Sequence, residues 1–130
     1  MLLLKAKEEN WGLIMPGRWT ETIWKIHSGG SYTITKYFQE IDEQRRKFEI
    51  KFSAKGKLSP DKFQKLKDAL NSEWSTEQRR FCDGVAWEFE LYEHDKIIKH
   101  RPLGYIYGIE PYETIAYFLP SDEGIENNRE

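Results

Sequence analysis

Apolar and polar residues alternate along several short stretches of the chain, with the two-residue period of a half-buried β-strand. Glycine, proline, asparagine or aspartate separates most of these stretches, which is typical of strands joined by turns. The predicted strands cover residues 11–15, 20–27, 31–38, 48–52, 85–92 and 97–100, and residues 104–108 are either a further short strand or a packed loop.

The stretch Ser28-Gly29-Gly30 predicts a hairpin between the second and third of these strands. A three-residue loop would place Trp24 opposite Ile34, whereas a two-residue loop would place it opposite Thr35. Only the three-residue loop gathers the large apolar side chains on one face, because a slip of one residue moves every side chain to the other face. We therefore expect the longer loop, with a glycine in the left-handed region.

The last two long strands predict a second hairpin, for which a loop with an even number of residues is the better choice. It places Ile98 opposite Leu91 and His100 opposite Phe89, and Pro102 is expected to end the strand. Residues 40–47 are expected to form a connection and residues 55–58 a loop.

Two helices are predicted, each beginning near a proline. Ser59-Pro60-Asp61 is a typical helix start, and apolar residues at helical spacing then extend about 15 residues, as far as Trp74. Pro111 begins the second helix and Pro120 ends it. Its buried residues are expected to be Tyr112, Ile115, Ala116 and Leu119.

Strands therefore precede and follow the first helix, without a regular alternation of strand and helix. This order predicts an α+β fold with a mainly antiparallel sheet of about five or six strands and two helices packed on one face. The length of 130 residues suits one core. We expect residues 1–120 to form a single domain and residues 121–130 an acidic tail that frays.

The composition, with 38% apolar and 32% charged residues, is typical of a globular protein. Cys82 is the only cysteine, which excludes an internal disulfide and fits a reducing compartment. The apolar start of residues 1–4 is too short for a signal peptide or a membrane span. The sequence therefore predicts a cytoplasmic protein with no membrane association.

Charge is unevenly distributed although the net charge is only −2. Residues 45–67 contain nine basic and two acidic residues, whereas residues 110–130 contain six acidic residues and one basic residue. A solvated face and an acidic tail are the simplest interpretation; a patch that meets an acidic partner or phosphates is the alternative. The candidate basic patch consists of Arg45, Arg46, Lys47, Lys51, Lys55 and Lys57.

Aromatic residues make up 15% of the chain, and several do not fall on a predicted core stripe. Tyrosine and tryptophan at a surface are typical anchors in protein–protein interfaces, although some can simply complete the edges of a core. The candidate binding residues are Trp11, Trp19, Tyr37, Tyr92, Tyr105 and Tyr107.

No arrangement of residues predicts catalysis. No histidine is marked as a base for Cys82. Glu88 and Glu90 point the same way from one strand, and the solvent-exposed face of that strand explains them. The three histidines lack the spacing of a zinc site, and Gly104–Gly108 lacks the lysine of a phosphate-binding loop. We expect no metal site, no cofactor and no catalytic residue.

Three stretches of the chain are distinctive in sequence: residues 82–89, residues 104–108 with the helix after Pro111, and residues 30–34. In these stretches it resembles small uncharacterised bacterial proteins. The resemblance implies no activity, so no residue takes a role from it.

The sequence favours a small non-enzymatic module that binds another protein, of the inhibitor, immunity or adaptor type. One alternative is a ligand-binding protein or small enzyme with a cleft between sheet and helices, lined by convergent polar groups. The other is a nucleic-acid accessory factor that uses residues 45–67, which the net charge disfavours. The sequence does not give the oligomeric state.

Overall fold

A computed structural model describes residues 1–10, 19–78 and 84–120, which form a six-stranded antiparallel sheet and two helices. The expected α+β class is confirmed in outline, with more strand than helix. The strands, in chain order, are β1 (Leu2–Asn10), β2 (Trp19–His27), β3 (Ser31–Ile41), β4 (Lys47–Lys57), β5 (Val85–Glu93) and β6 (Lys96–Gly104); the helices are α1 (Pro60–Leu70) and α2 (Tyr112–Phe118). The spatial order of the strands is β4-β3-β2-β1-β5-β6. The predicted strand at Trp11–Met15, Cys82 and the predicted tail lie outside the described residues.

One face of the sheet forms the core. Trp24 and Trp87 stack with their ring centroids 5.4 Å apart, and Phe89 is fully buried between Trp87 and Tyr112 of α2. Leu66 of α1 joins the same cluster. Most lysines, glutamates and threonines of the strands occupy the intervening positions, which point away from this core, whereas Thr22 and Lys36 are buried on the core-facing side.

The β2–β3 hairpin has the predicted register, with Trp24 opposite Ile34 and Ile26 opposite Tyr32. Gly30 has a φ of +94°, and its N–H donates to the carbonyl of His27 at 2.9 Å. Both the three-residue loop and the left-handed glycine are confirmed, because turn chemistry and strand alternation demand the same register.

Strand β1 was not predicted, although it lies in the middle of the sheet between β2 and β5. Leu4 and Ala6 are fully buried at alternate positions. The sequence supplies only this short alternation, followed by charged residues, so the strand's stability depends on the two neighbours that pair with it.

Strands β3 and β4 are longer than predicted. The expected connection at 40–47 shrinks to a turn of residues 42–46, and the expected loop at 55–58 is mostly strand. In the turn, Arg45 has a φ of +62°, and Asp42 accepts hydrogen bonds from the backbone N–H of Arg46 at 2.8 Å and from its Nε at 2.7 Å. Local side-chain bonds thus tighten the turn and allow both strands to continue to it.

Helix α1 begins as predicted but ends early. The hydroxyl of Ser59 accepts a hydrogen bond from the N–H of Lys62, and Pro60 occupies the first turn. The helix stops at Leu70, with Asn71 as its C-cap, and the hydroxyl of Ser72 donates to the carbonyl of Ala69 at 2.6 Å. Trp74, predicted to extend the helix, instead lies beyond it and donates its indole N–H to the carbonyl of Leu70 at 2.9 Å.

Helix α2 agrees with its prediction, since it follows Pro111 and ends before Pro120. Of the four residues expected to be buried, Tyr112 and Ile115 are, whereas Ala116 and Leu119 are half-buried against the core. In the described residues, no helix combines the length and apolar character needed to span a membrane.

The predicted register of β5 and β6 is wrong. The turn itself has the expected even length, with His94 and Asp95 both at positive φ between Glu93 and Lys96. A register shift next to Leu91 then moves the pairing by one residue, so that Arg101 lies opposite Phe89 and His100 opposite Glu90. Pro102 does not end β6, which continues to Gly104, because an outermost strand can include a proline.

Candidate strand-binding edge

The two outermost strands of the described sheet are β4 and β6. On its outer side, each presents backbone N–H and C=O groups that no described strand pairs with, and such groups can pair with another chain. The two edges differ in regularity. Strand β4 pairs with β3 through eleven consecutive residues with no bulge, whereas the β5–β6 pairing contains two register shifts.

The lysines of the predicted basic patch extend along the regular edge. Every second residue of β4 points to the face opposite the core, and these positions include Lys47, Lys51, Lys55 and Lys57, all exposed. Within the described parts of the chain, no carboxylate forms an ion pair with any of the four. Glu49 is the acidic residue on this side of β4. Four lysines against one glutamate make the side strongly basic.

The basic character continues across the sheet in one row. Thr33 lies opposite Lys55 on one side and Lys25 on the other, and Lys25 lies opposite Lys5. Like charges directly opposite each other on neighbouring strands are destabilising. The pair of Lys5 and Lys25 is therefore unfavourable to the fold, and the basic row ends at β5, where Glu90 lies opposite Lys5.

The two arginines of the predicted patch are placed differently. Arg45 is exposed in the β3–β4 turn, and Arg46 is held there by Asp42 and by Gln44, whose side-chain oxygen lies 3.0 Å from Nη2. The structure thus brings the four lysines together on one side of β4 and leaves the arginines at its end.

The core-facing side of β4 is apolar and incompletely covered. Phe48 is 46% exposed, and Ile50 and Phe52 are half-buried. Phe52 packs edge-to-face on Phe38 with centroids 5.3 Å apart. A shallow pocket of about 330 Å³ adjoins Phe48 and is lined by Thr20, Gln39, Lys47 and Glu49. The edge therefore combines one basic side with one apolar side.

The predicted aromatic residues do not form one surface. Tyr37 is half-buried on the outer face opposite Lys51, and Tyr92 is half-buried on β5, where burial and the charges of Glu90 and Glu88 raise its pKa. Trp19 is half-buried against Lys36, whose Nζ lies 5.6 Å from its ring.

The remaining aromatic candidates lie elsewhere. Tyr105 and Tyr107 contact each other in the loop after β6, with centroids 5.0 Å apart. Trp11 lies outside the described residues. Tyr117, which the sequence did not single out, is 81% exposed because it lies on the outer side of the short helix α2.

The other half of the outer face has its charges paired. Glu88 lies 2.8 Å from the Nε2 of His100 and 3.4 Å from the Nζ of Lys7. Burial alone would raise the pKa of Glu88, but the hydrogen bonds and charges of His100 and Lys7 together lower it. Burial likewise opposes the charge of Lys7, yet Glu9 and Glu88 raise its pKa. The charges around Glu88 therefore compensate one another, in contrast to the lysines of β4.

Within the described ranges, no group of three or more histidine, cysteine, aspartate or glutamate side chains could hold a metal ion. Comparisons with known protein families, with curated proteins and with solved structures found no match to the chain.

Proposed function

We propose that the protein is a small non-enzymatic module that binds another protein by adding an acidic, extended segment of that partner to β4. The observation that carries the proposal is the combination, on one regular edge strand, of an outer side that no described strand covers with lysines on one face. In this mode of recognition, main-chain hydrogen bonds supply affinity and alternate side chains supply specificity.

The two sides of β4 define the partner's sequence pattern. Successive side chains of an added strand point to opposite faces, so residues of one parity would lie beside Lys51 and Lys55 and residues of the other beside Phe48 and Ile50. The complementary strand alternates acidic residues with apolar, preferably β-branched, residues.

A second copy of the chain fits the edge less well. Pairing β4 with its own counterpart places the lysines of one copy near those of the other on the outer face, and this repulsion acts against edge-to-edge association. The lysines therefore select an acidic partner strand while they disfavour self-pairing.

The test uses a short fluorescein-labelled peptide in which glutamate alternates with valine, and a matched peptide with lysine in place of glutamate. Fluorescence anisotropy should show binding of the glutamate peptide, weakening with salt. Reversing Lys51 and Lys55 to glutamate should weaken it by roughly tenfold or more and create affinity for the lysine peptide. The matched control reverses Lys62 and Lys65 of α1, which should change the affinity by less than about threefold.

Amide hydrogen exchange locates the bound peptide. Slower exchange in β4 supports strand addition, because newly paired N–H groups are protected. Protection in β6 instead, equal affinity for both peptides, equal loss in the two reversal variants, or a homodimer that already covers β4 would each overturn the proposal.

A further inference from the structure

The second edge of the sheet contains a buried positive charge. Arg101 lies on the core-facing side of β6, opposite Phe89, and is only 2% exposed. The register shift next to Leu91 turns this side chain inward. An arginine does not lose its proton in a protein, so the site holds a full charge.

The guanidinium of Arg101 is only partly satisfied. Nη1 donates to the carbonyl of Glu77 at 2.5 Å and Nη2 to the carbonyl of Tyr105 at 3.3 Å. The ring of Tyr112 lies 4.7 Å from Cζ and provides a cation–π contact. Nε is buried and has no hydrogen-bond partner among the residues that the structure describes.

No carboxylate of residues 1–10, 19–78 or 84–120 forms an ion pair with Arg101. Burying an ion costs several kcal/mol unless an opposite charge and hydrogen bonds compensate it. Two carbonyl groups and an aromatic face compensate part of this cost, and an anion would compensate the rest.

A pocket adjoins this guanidinium. It has a volume of about 140 Å³, and Trp74, Ser75, Thr76, Gln78 and Tyr112 line it together with residues 100–102 of β6. At roughly 30 Å³ for each water molecule, this volume accommodates about four waters or one small organic group. The hydroxyls of Ser75 and Thr76 and the amide of Gln78 are neutral donors, while Trp74 and Tyr112 present apolar rings 5.7 Å apart.

We propose that the pocket between β6, residues 74–78 and α2 binds a carboxylate group through Arg101, with a small apolar body of the ligand against Trp74 and Tyr112. The planar fork of a guanidinium matches a carboxylate in geometry and charge. Arg101 is the buried cation of this lining, because His100 is exposed and pairs with Glu88. One buried cation with neutral donors matches a monoanion better than a doubly charged phosphate. The inference is independent of strand binding at β4.

The carboxylate could belong to a small organic acid or to an acidic side chain, and the experiment separates these sources. Acetate and propionate are the free probes, with chloride and inorganic phosphate compared at equal ionic strength. A blocked tripeptide with a central glutamate represents the side chain, and its glutamine counterpart is the uncharged control.

The primary readouts are the melting temperature and the NMR signals of the Arg101 Nε–H and the Trp74 indole N–H. Acetate or propionate at tens of millimolar should raise the Tm by about 2–4 °C beyond chloride and shift both signals. A stronger effect of the glutamate peptide than of its glutamine counterpart also supports the site and identifies a side chain as the source.

Variants that keep the fold make the test specific. Arg101→Lys retains the charge but loses the fork, and should weaken carboxylate binding by roughly tenfold. Thr76→Val and Gln78→Leu alter exposed residues and should each weaken it by about threefold. Gln64→Leu on α1 is the matched control and should leave binding unchanged, as should the Lys51 and Lys55 reversal.

Three results would overturn the proposal. The first is an equal effect of carboxylates and chloride. The second is a preference for phosphate over every carboxylate. The third concerns Asp83, a carboxylate of the chain itself. If Asp83→Asn shifts the Arg101 Nε–H signal and acetate does not, Asp83 is the counter-ion and the pocket does not bind a free carboxylate.

Discussion

Strands β3 and β4 pair through eleven residues without interruption, whereas the pairing of β5 with β6 shifts twice and its outer strand contains Pro102. Regular pairing keeps one set of β4 side chains on each face, so its lysines share one side. The shifts in β5–β6 change the faces instead, and this turns Arg101 into the core. Bulges often redirect side chains in this way, and they also make an edge less receptive to a further strand.

The difference separates two kinds of binding surface in one small sheet. A straight edge presents backbone and alternating side chains to an extended chain, as we propose for β4. A bulged edge presents an enclosed polar group, as we propose for Arg101. Substitutions in the two hairpins and at the two edges test this difference.

The two hairpins should differ most in what their aromatic residues contribute to stability. Phe89 of β5 is fully buried and stacks on Tyr112 with centroids 5.8 Å apart, so Phe89→Ala should lower the free energy of unfolding by about 3–5 kcal/mol. Phe48 of β4 is 46% exposed, and Phe48→Ala should cost less than about 1.5 kcal/mol. Urea unfolding measures both. Equal losses would show that β4 is as deeply packed as β5.

The β2–β3 turn connects to the end of β4, so its geometry bears on the regular edge. Gly30 has a φ of +94°, a Cβ there would lie 3.3 Å from Phe63, and its carbonyl accepts the N–H of Leu58. Gly30→Ala should therefore cost about 1–2 kcal/mol.

Gly29→Ala is the matched control, since a Cβ at Gly29 meets nothing within 4 Å and its φ is not in the left-handed region. This variant should change the free energy of unfolding by less than about 0.5 kcal/mol. A smaller loss for Gly30→Ala than for Gly29→Ala would contradict the turn geometry.

The lysines of β4 should matter for association more than for folding. Replacing Lys51 and Lys55 with threonine leaves a straight, uncharged edge, and we expect self-association at protein concentrations where the parent chain is monomeric. Light scattering measures this association. Replacing Lys96 of β6 with threonine should have no such effect, because the bulges and Pro102 disrupt that edge. Association of both variants, or of neither, would remove the distinction between the two edges.

The sequence predicted the parts of the fold that local chemistry determines. The Gly29-Gly30 turn and the alternation around Trp24 and Ile34 were sufficient for one hairpin, and Ser59-Pro60 was sufficient for the start of α1. Each of these features depends on residues that are close in sequence and that favour the same local structure. They could therefore be recognised without the rest of the chain.

Features that depend on distant pairing were missed. Strand β1 has little alternation of its own and is defined by β2 and β5, which pair with it. The register shift next to Leu91 is not visible in the sequence, so Ile98 was expected opposite Leu91, a position that Lys99 occupies. Arg101 was consequently overlooked as a buried residue. The basic patch could be predicted as a cluster, but the placement of its lysines on one side depended on the full length of β4.

The paired half of the outer face contributes to stability through Glu88. The pKa of Glu88 is lowered from its ordinary value of 4.5, so its ionised form stabilises the folded state. This contribution is present above about pH 4.5 and is lost as the pH falls through the lowered folded pKa. Glu88→Gln should therefore cost about 0.5 kcal/mol at pH 7, and the difference from the parent chain should shrink toward pH 3.

Urea unfolding of the parent protein and of Glu88→Gln at several pH values measures the difference between their free energies of unfolding. The contributions of the other carboxylates are the same in both proteins and drop out of this difference. Glu43→Gln in the β3–β4 turn is the control, because Glu43 forms no ion pair with another described residue and its removal should have no effect at pH 7. A Glu88→Gln difference that grows as the pH falls would show that Glu88 is destabilised by burial more than His100 and Lys7 stabilise it. In that case the charges of this half would be no better compensated than the lysines of β4.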